Sequence, residues 1–247
     1  MVLNITMSFK ILQDSITNLF KFSNRYTASY NDTTDTSYSI VSTTCHKTTF
    51  SGSEQDFNDF ADPFDYDLAD GGAQLTLVSD DAADTFTVQL DGLDINKDPL
   101  SEIITFNGLT PVVTVGTFSR LNTVICLTGV PAGTVTFSGL GFEWARLEAG
   151  KTNIHAGRLA IPRGYSYTPE TSVFYSDKAG EYRVTIYQRI PGIPTIEALP
   201  VYLYRTSGTL SLYPSTTVGP ADIIIRVEPL SGGGSLFASG IFNGILF

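Results

Sequence analysis

The sequence predicts an all-β protein: an antiparallel β-sandwich of jelly-roll or Ig-like type, arranged as two sandwich-like units behind an N-terminal arm. Three observations carry this. Residues 75–139 hold short runs in which Thr85, Thr87 and Gln89 alternate with Phe86, Val88 and Leu90, and Ile103, Thr105 and Asn107 alternate with Ile104 and Phe106. A period of two puts one face in and one face out, as a strand requires. Turn residues separate the runs: Asp-Gly at 91–92, Asn-Gly at 107–108 and Pro-Ala-Gly at 131–133. Charged residues make up only 16% of the chain, against about 25% in typical soluble domains. Thr, Ser, Gly and Tyr fill the difference and give strands neutral outer faces. Turn spacing divides the chain into an arm (1–22), a first unit (23–140) and a second (141–247).

In the arm, Phe9, Leu12, Ile16, Leu19 and Phe20 recur at helical spacing, interrupted by Asp14 and Ser15. The stretch reads either as a short helix or as an extended arm. It lacks a basic region ahead of an apolar core, so no signal peptide is expected. No apolar run reaches membrane-spanning length, and no membrane partner is expected. Strands are expected at 37–41 and 44–50.

Residues 54–72, EQDFNDFADPFDYDLADGG, have the most unusual local composition. Acidic side chains at Glu54, Asp56, Asp59, Asp62, Asp65, Asp67 and Asp70 interleave with Phe57, Phe60, Phe64 and Tyr66. A cation-binding or partner-docking loop would use the oxygens. A surface loop whose aromatic residues tuck into the core is the favoured alternative. Strands follow near 74–79, 84–90, 101–107, 111–115, 120–128 and 133–138. Asp94, Asn96 and Asp98 alternate as in a calcium loop, but Pro99 and Thr105 stand where that loop needs Gly and a carboxylate. A strand-to-strand turn accounts for them.

Beyond Trp144, the only tryptophan, a turn leads from Asn153 into a strand ending at Ile161. Residues 172–175 and 182–189 are expected to form a hairpin around a Gly-bearing turn at 177–180. Pro191, Pro194 and Pro200 interrupt, and strands resume at 199–205, 209–213 and 223–227. Tyr165, Tyr167, Tyr175, Tyr182, Tyr187, Tyr202, Tyr204 and Tyr213 are expected on an interface or sheet surface, with a carbohydrate platform as the alternative. The Gly-rich turn at 231–235 precedes a closing strand. It is no phosphate loop, because no Gly-Lys-Ser/Thr follows.

Chemistry has little footing. The net charge of −10 and the absence of a basic run argue against nucleic acid as a direct partner, and none is expected. Cys45 and Cys126 can form one disulfide or stand as two separate core residues; the second is preferred. His46 beside Cys45 lacks the further ligands of a zinc site. His155 has no recognisable nucleophile near it. Glu143, Glu148, Glu170 and Asp177 are candidates for paired glycosidase carboxylates only in the sense that any acidic β protein offers them. No catalytic, cofactor-binding or metal residue is assigned, and no cofactor is expected.

The segment VSDDAADTFTVQLDGLDINKDPLSEIITFNG, residues 78–108, resembles a module of structural proteins from tailed phages, especially marine ones. The likeness rests on Val78-Ser79, Asp84-Thr85, Gly92 to Asp94, Ser101-Glu102 and Asn107-Gly108. It extends through Phe118 and Arg120, Asn153 to Ile161, Pro220, Asp222, Ile223 and Arg226, to Phe242 and Gly244. It covers about residues 75–247, except 141–150 and 190–200. The resemblance implies a β-sandwich component of a virion with no enzymatic activity. Its expected partners are other virion proteins (major capsid or tail and fibre components) and further copies of itself. Capsid decoration or cement, or head, tail or fibre attachment, is the expected role. A glycan- or receptor-binding fibre module and, more remotely, a polysaccharide-degrading enzyme are the alternatives.

Overall fold

The computed structural model describes residues 38–47, 53–56, 58, 60, 63–152, 154, 157–176, 180–193, 196–205, 207–210, 217–232 and 236–246. The expected arm, 1–22, lies outside them. The protein is all-β, with antiparallel sheets throughout the described residues. In chain order the strands are β1 (Tyr38–Lys47), β2 (Gln55–Asp56), β3 (Thr76–Ser79), β4 (Thr87–Leu93), β5 (Pro99–Thr105) and β6 (Val112–Val113). Then come β7 (Arg120–Thr128), β8 (Val135–Gly139), β9 (Phe142–Leu147), β10 (Arg158–Ile161), β11 (Tyr165–Ser176) and β12 (Gly180–Arg189). The last are β13 (Ile196–Arg205), β14 (Ser207–Leu210), β15 (Thr217–Val218), β16 (Ala221–Gly232) and β17 (Leu236–Leu246). One helical turn, α1 (Tyr66–Ala69), is capped by Asp65, whose carboxylate accepts from the Leu68 N–H at 2.9 Å.

Among the described residues the strands form four sheets: β5-β4-β7; β6-β3-β8-β9; β10-β16-β12-β13 with β2 beside β16; and β1-β17-β11-β14 with β15 beside β11. The third sheet is central, because its strand β16 serves two cores. Ile224 joins the large core of Leu75, Leu77, Leu90, Phe106, Phe118, Phe137 and Trp144. Its neighbour Ile223 joins a second core with Leu159, Ile161, Tyr167 and Ile186. A strand covered on both faces explains the unbroken Ile223-Ile224-Ile225 run, where a half-exposed strand would alternate.

Several expectations are corrected. Asp91-Gly92 is not a turn: β4 runs through it, and the chain reverses at 94–98 instead. There the Asp94 carboxylate accepts from the Asn96 and Asp98 N–H groups at 2.8 and 2.9 Å, the turn role expected for Asp94. Gly92 is needed for another reason. It sits at a bulge against β7, where a Cβ would lie 2.0 Å from the Arg120 carbonyl oxygen. The Asn107-Gly108 turn is present, with Gly108 at φ +58°.

The expected hairpin at 172–189 is absent. β11 pairs with β17, β14 and β15, whereas β12 pairs with β13 and β16. Each strand has both edges occupied, and the two belong to different sheets. Pro200 does not end a strand; it lies inside β13 at a bulge opposite β12, and β13 is an edge strand, where a missing N–H is tolerated. β9 was not anticipated. It pairs with β8 across residue 140, the expected boundary between units, and β1 pairs with β17 from the far end of the chain.

A buried ion-pair ring as the candidate functional site

The charged residues that the fold brings together lie where α1, the β4–β5 turn, β7, β12 and β16 converge. Arg120, at the start of β7, is 1% exposed, and Asp222 on β16 is 2% exposed. Arg120 donates from Nε to Asp222 Oδ1 at 2.7 Å and from Nη2 to Asp222 Oδ2 at 2.8 Å. Its Nη2 also reaches Asp70 Oδ1 at 2.7 Å. Arg189, at the end of β12, donates to Asp70 Oδ2 at 2.8 Å and Asp222 Oδ2 at 3.1 Å. Charges therefore alternate around a closed ring: Arg120, Asp70, Arg189, Asp222. Lys97, buried with φ +67°, adds a bond to Asp70 Oδ1 at 2.9 Å, and Asp67 pairs with Arg189.

Three cations thus face three carboxylates, which is the condition for holding charge away from water. Burial alone would raise the Asp70 pKa, but bonds from Arg189 and Lys97 and the charge of Arg120 hold it at about 2. Burial would lower the pKa of both arginines. The hydrogen bonds that Arg120 donates to Asp222, and that Arg189 donates to Asp70 and Asp67, outweigh it and raise them. Each ring member so described is fixed in its charged form near neutral pH. Such a set joins elements and positions them.

The acidic-aromatic segment 54–70 supplies one side of this site, and among its described residues Glu54, Asp56, Phe60, Phe64, Tyr66, Asp67 and Asp70 have partners. Asp56 pairs with Arg226 at 3.2 Å, and Glu54 accepts from the Tyr187 hydroxyl at 2.8 Å. The Phe60 ring lies 5.7 Å from the Arg146 guanidinium, and the Phe64 ring 3.7 Å from that of Arg158. The Tyr66 ring lies 5.3 Å from Arg120 and 5.5 Å from Arg189. Phe64 also meets Phe142 and Trp144 edge-on. Acids and rings of this segment meet arginines of later strands: Arg120, Arg146, Arg158, Arg189 and Arg226. The favoured reading, aromatic residues tucked into the core, holds for Phe64 and Tyr66. No group of three or more His, Cys, Asp or Glu side chains placed to hold a metal occurs among the described residues.

A second polar site pins the β3–β4 and β7–β8 connections. Asp84, 3% exposed, accepts from Ser79 Oγ and from the Ala132 and Gly133 N–H groups at 2.7 and 3.2 Å. Burial works against its charge, but these three donors more than offset it and lower its pKa. Pro-Ala-Gly 131–133 is therefore a carboxylate-binding turn.

The other candidates disperse. Glu143 is paired with Arg146 at 2.6 Å. His155, Asp177 and the side chains of Cys45, His46 and Glu170 lie outside what is described. Cys126 is a free, half-buried cysteine whose thiol burial pushes up to about 11. Tyr167 and Tyr182 are buried in the sheets, a correction to the expected tyrosine surface. Four of the six charged residues were legible beforehand, only as single residues: Asp67 and Asp70 in the acidic stretch, Arg120 and Asp222 in the family resemblance. Lys97 and Arg189 carried no sequence signal.

No family model and no curated protein matches the chain. Among solved structures, infectious bursal disease virus Gx strain matches at 10% identity, over 86% of this chain and 81% of that one, with a TM-score of 0.16. The VP2 subviral particle of infectious bursal disease virus matches at 11% identity, over 100% and 87%, with a TM-score of 0.12. Likenesses this slight carry no argument about function. No helix among the described residues is long and apolar enough to cross a membrane.

Proposed function

We propose that this chain is a structural component of a tailed-phage virion, assembling in many copies by surface packing and without catalysis. Its place is on the capsid as a decoration or cement protein, or at a head, tail or fibre attachment. The observation that carries the reading is the outer face of the β5-β4-β7 sheet. Its rows run Ser101–Asp91–Thr123, Ile103–Gln89–Ile125 and Thr105–Thr87–Thr128. The side chains are small or uncharged except Asp91, and Thr87 and Thr105 hydrogen-bond each other at 3.0 Å. Ile103 is 63% exposed. A neutral face dotted with apolar side chains costs little to desolvate, so it suits burial against a neighbour. The phage-module resemblance falls on the same strands, β4 and β5.

The test is to purify particles from an infected host and locate the chain in a density map of the intact particle. The expected result is a repeated, symmetric position with the β5-β4-β7 face against a neighbouring subunit. Purified particles that lack the chain would overturn the reading.

A further inference from the structure

We propose that the open edge of β5 is a docking strand for a second copy of this chain. Two β5 strands pair antiparallel about a two-fold axis at Ile103 and join two β5-β4-β7 sheets into one. The inference names one contact of the many-copy assembly proposed above and rests on that reading for its setting.

Backbone direction decides which groups are available. Just beyond the β4–β5 ladder the Phe106 N–H donates to the Phe86 carbonyl at 2.9 Å, so in alternation residues 100, 102 and 104 bond to β4. The Thr87 N–H of β4 turns the other way, to Thr128 Oγ1 at 3.0 Å, as the same alternation requires. Ser101, Ile103 and Thr105 therefore aim their N–H and C=O groups outward, and no strand among the described residues takes them. All three side chains are exposed. Val115, 86% exposed, sits beside this edge, its N–H donating to the Glu102 carboxylate at 2.8 Å.

The edge lacks the devices that blunt its neighbours. β6 is only two residues long. β7 is held to β10 by Asn122, and its Cys126 N–H donates to the Thr152 carbonyl at 3.4 Å. The Trp144 carbonyl of β9 accepts from Arg158. β5 has seven residues and pairs with β4 without a bulge. Its proline, Pro99, stands at the first position. Its one charged residue, Glu102, is already engaged by the Val115 and Gly116 N–H groups at 2.8 and 2.9 Å.

The sequence of the strand selects a second copy as the occupant. Around Ile103 it is self-complementary: Ile103 meets its own counterpart and Ser101 meets Thr105, each pair exchanging two backbone hydrogen bonds. On the other face Glu102 meets Ile104, so no carboxylate opposes another. A register centred on Glu102 would set like charges opposite each other and is disfavoured. The Ile125–Gln89–Ile103 row then continues into the same row of the second copy as one uncharged stripe.

The test uses the purified full-length chain. Sedimentation across a dilution series is expected to show a two-copy species that dissociates on dilution. Amide exchange at Ser101, Ile103 and Thr105 is expected to slow as that species forms. Ile103→Pro removes one outward N–H and no bond to β4, a change that an open edge tolerates, and it should abolish the two-copy species. Ile103→Lys brings like charges together on the axis and should do the same. An unchanged thermal midpoint of the single copy shows that a variant is folded. Single-copy mass throughout overturns the proposal. So does a two-copy species whose 101, 103 and 105 amides exchange as in the single copy, because the contact then lies on another face. Protection of those amides only in whole particles also overturns it, and gives the edge to a strand of a different virion protein. None of these outcomes decides whether the chain belongs to a particle, which the density map does.

Discussion

Arg120 and Asp222 stand 102 residues apart in sequence and are joined by two hydrogen bonds, at 2.7 and 2.8 Å, in the buried centre of the molecule. The pair ties β7 of one sheet to β16 of the central sheet, and Asp70 and Arg189 close the ring around it. Its value is positional, since replacing a buried ion pair with apolar residues is often neutral whereas halving one is not.

Asp222→Ala is expected to destabilise the fold by about 3–5 kcal/mol, because it leaves two buried guanidinium groups short of a carboxylate. Urea unfolding measures this. A loss below about 1 kcal/mol would mean that water or Asp67 takes over the role.

Asn122 is a backbone mimic. Its side-chain amide donates to the Ala160 carbonyl and accepts from the Ala160 N–H, both at 2.8 Å, binding β7 to β10. Asn122→Leu should cost about 2–4 kcal/mol, since two backbone groups lose partners at about 1–3 kcal/mol each. Hydrogen exchange should show the Ala160 amide losing protection ahead of its neighbours on β10.

Gly92→Ala places a methyl group within 2.0 Å of the Arg120 carbonyl oxygen, so the β4–β7 bulge must open. The expected cost is about 1–3 kcal/mol or more, read as a lowered thermal midpoint. An unchanged midpoint would show that β7 can shift freely, which the ring anchored at Arg120 argues against.

Acid should loosen the fold through Asp70 and Asp84. Both carboxyls have folded pKa values below their unfolded value of about 3.9. Between the two values the unfolded chain binds more protons, so stability rises with pH there. Their contribution is complete above about pH 5 and is lost as pH falls through the folded pKa, about 2 for Asp70. Asp84→Asn should lower stability at pH 7 and flatten its fall between about pH 5 and 2. Urea midpoints across that range check this, and an unchanged slope would remove Asp84 from the account.

The acidic-aromatic stretch 54–70 shows how far composition reads. Its oddity was visible in the sequence, and so was the tendency of its rings to seek the core. Its partners were not, because Arg120, Arg158, Arg189 and Arg226 lie 50 to 170 residues further on and look like ordinary strand arginines. The failed 172–189 hairpin has the same cause. Two strands and a glycine turn fit a hairpin locally, yet β16 and β17 compete for the same edges and win them.

The sequence by itself determined the all-β character, most strand positions and the roles of Asp94 and Gly108, because period-two alternation and turn chemistry act over a few residues. Tertiary structure alone decided which strands pair, why Gly92 has no side chain, and that Asp70, Arg120, Arg189 and Asp222 form one ring. Pairing across a sheet and charge compensation in a core depend on residues far apart in the chain, and local pattern carries no record of them.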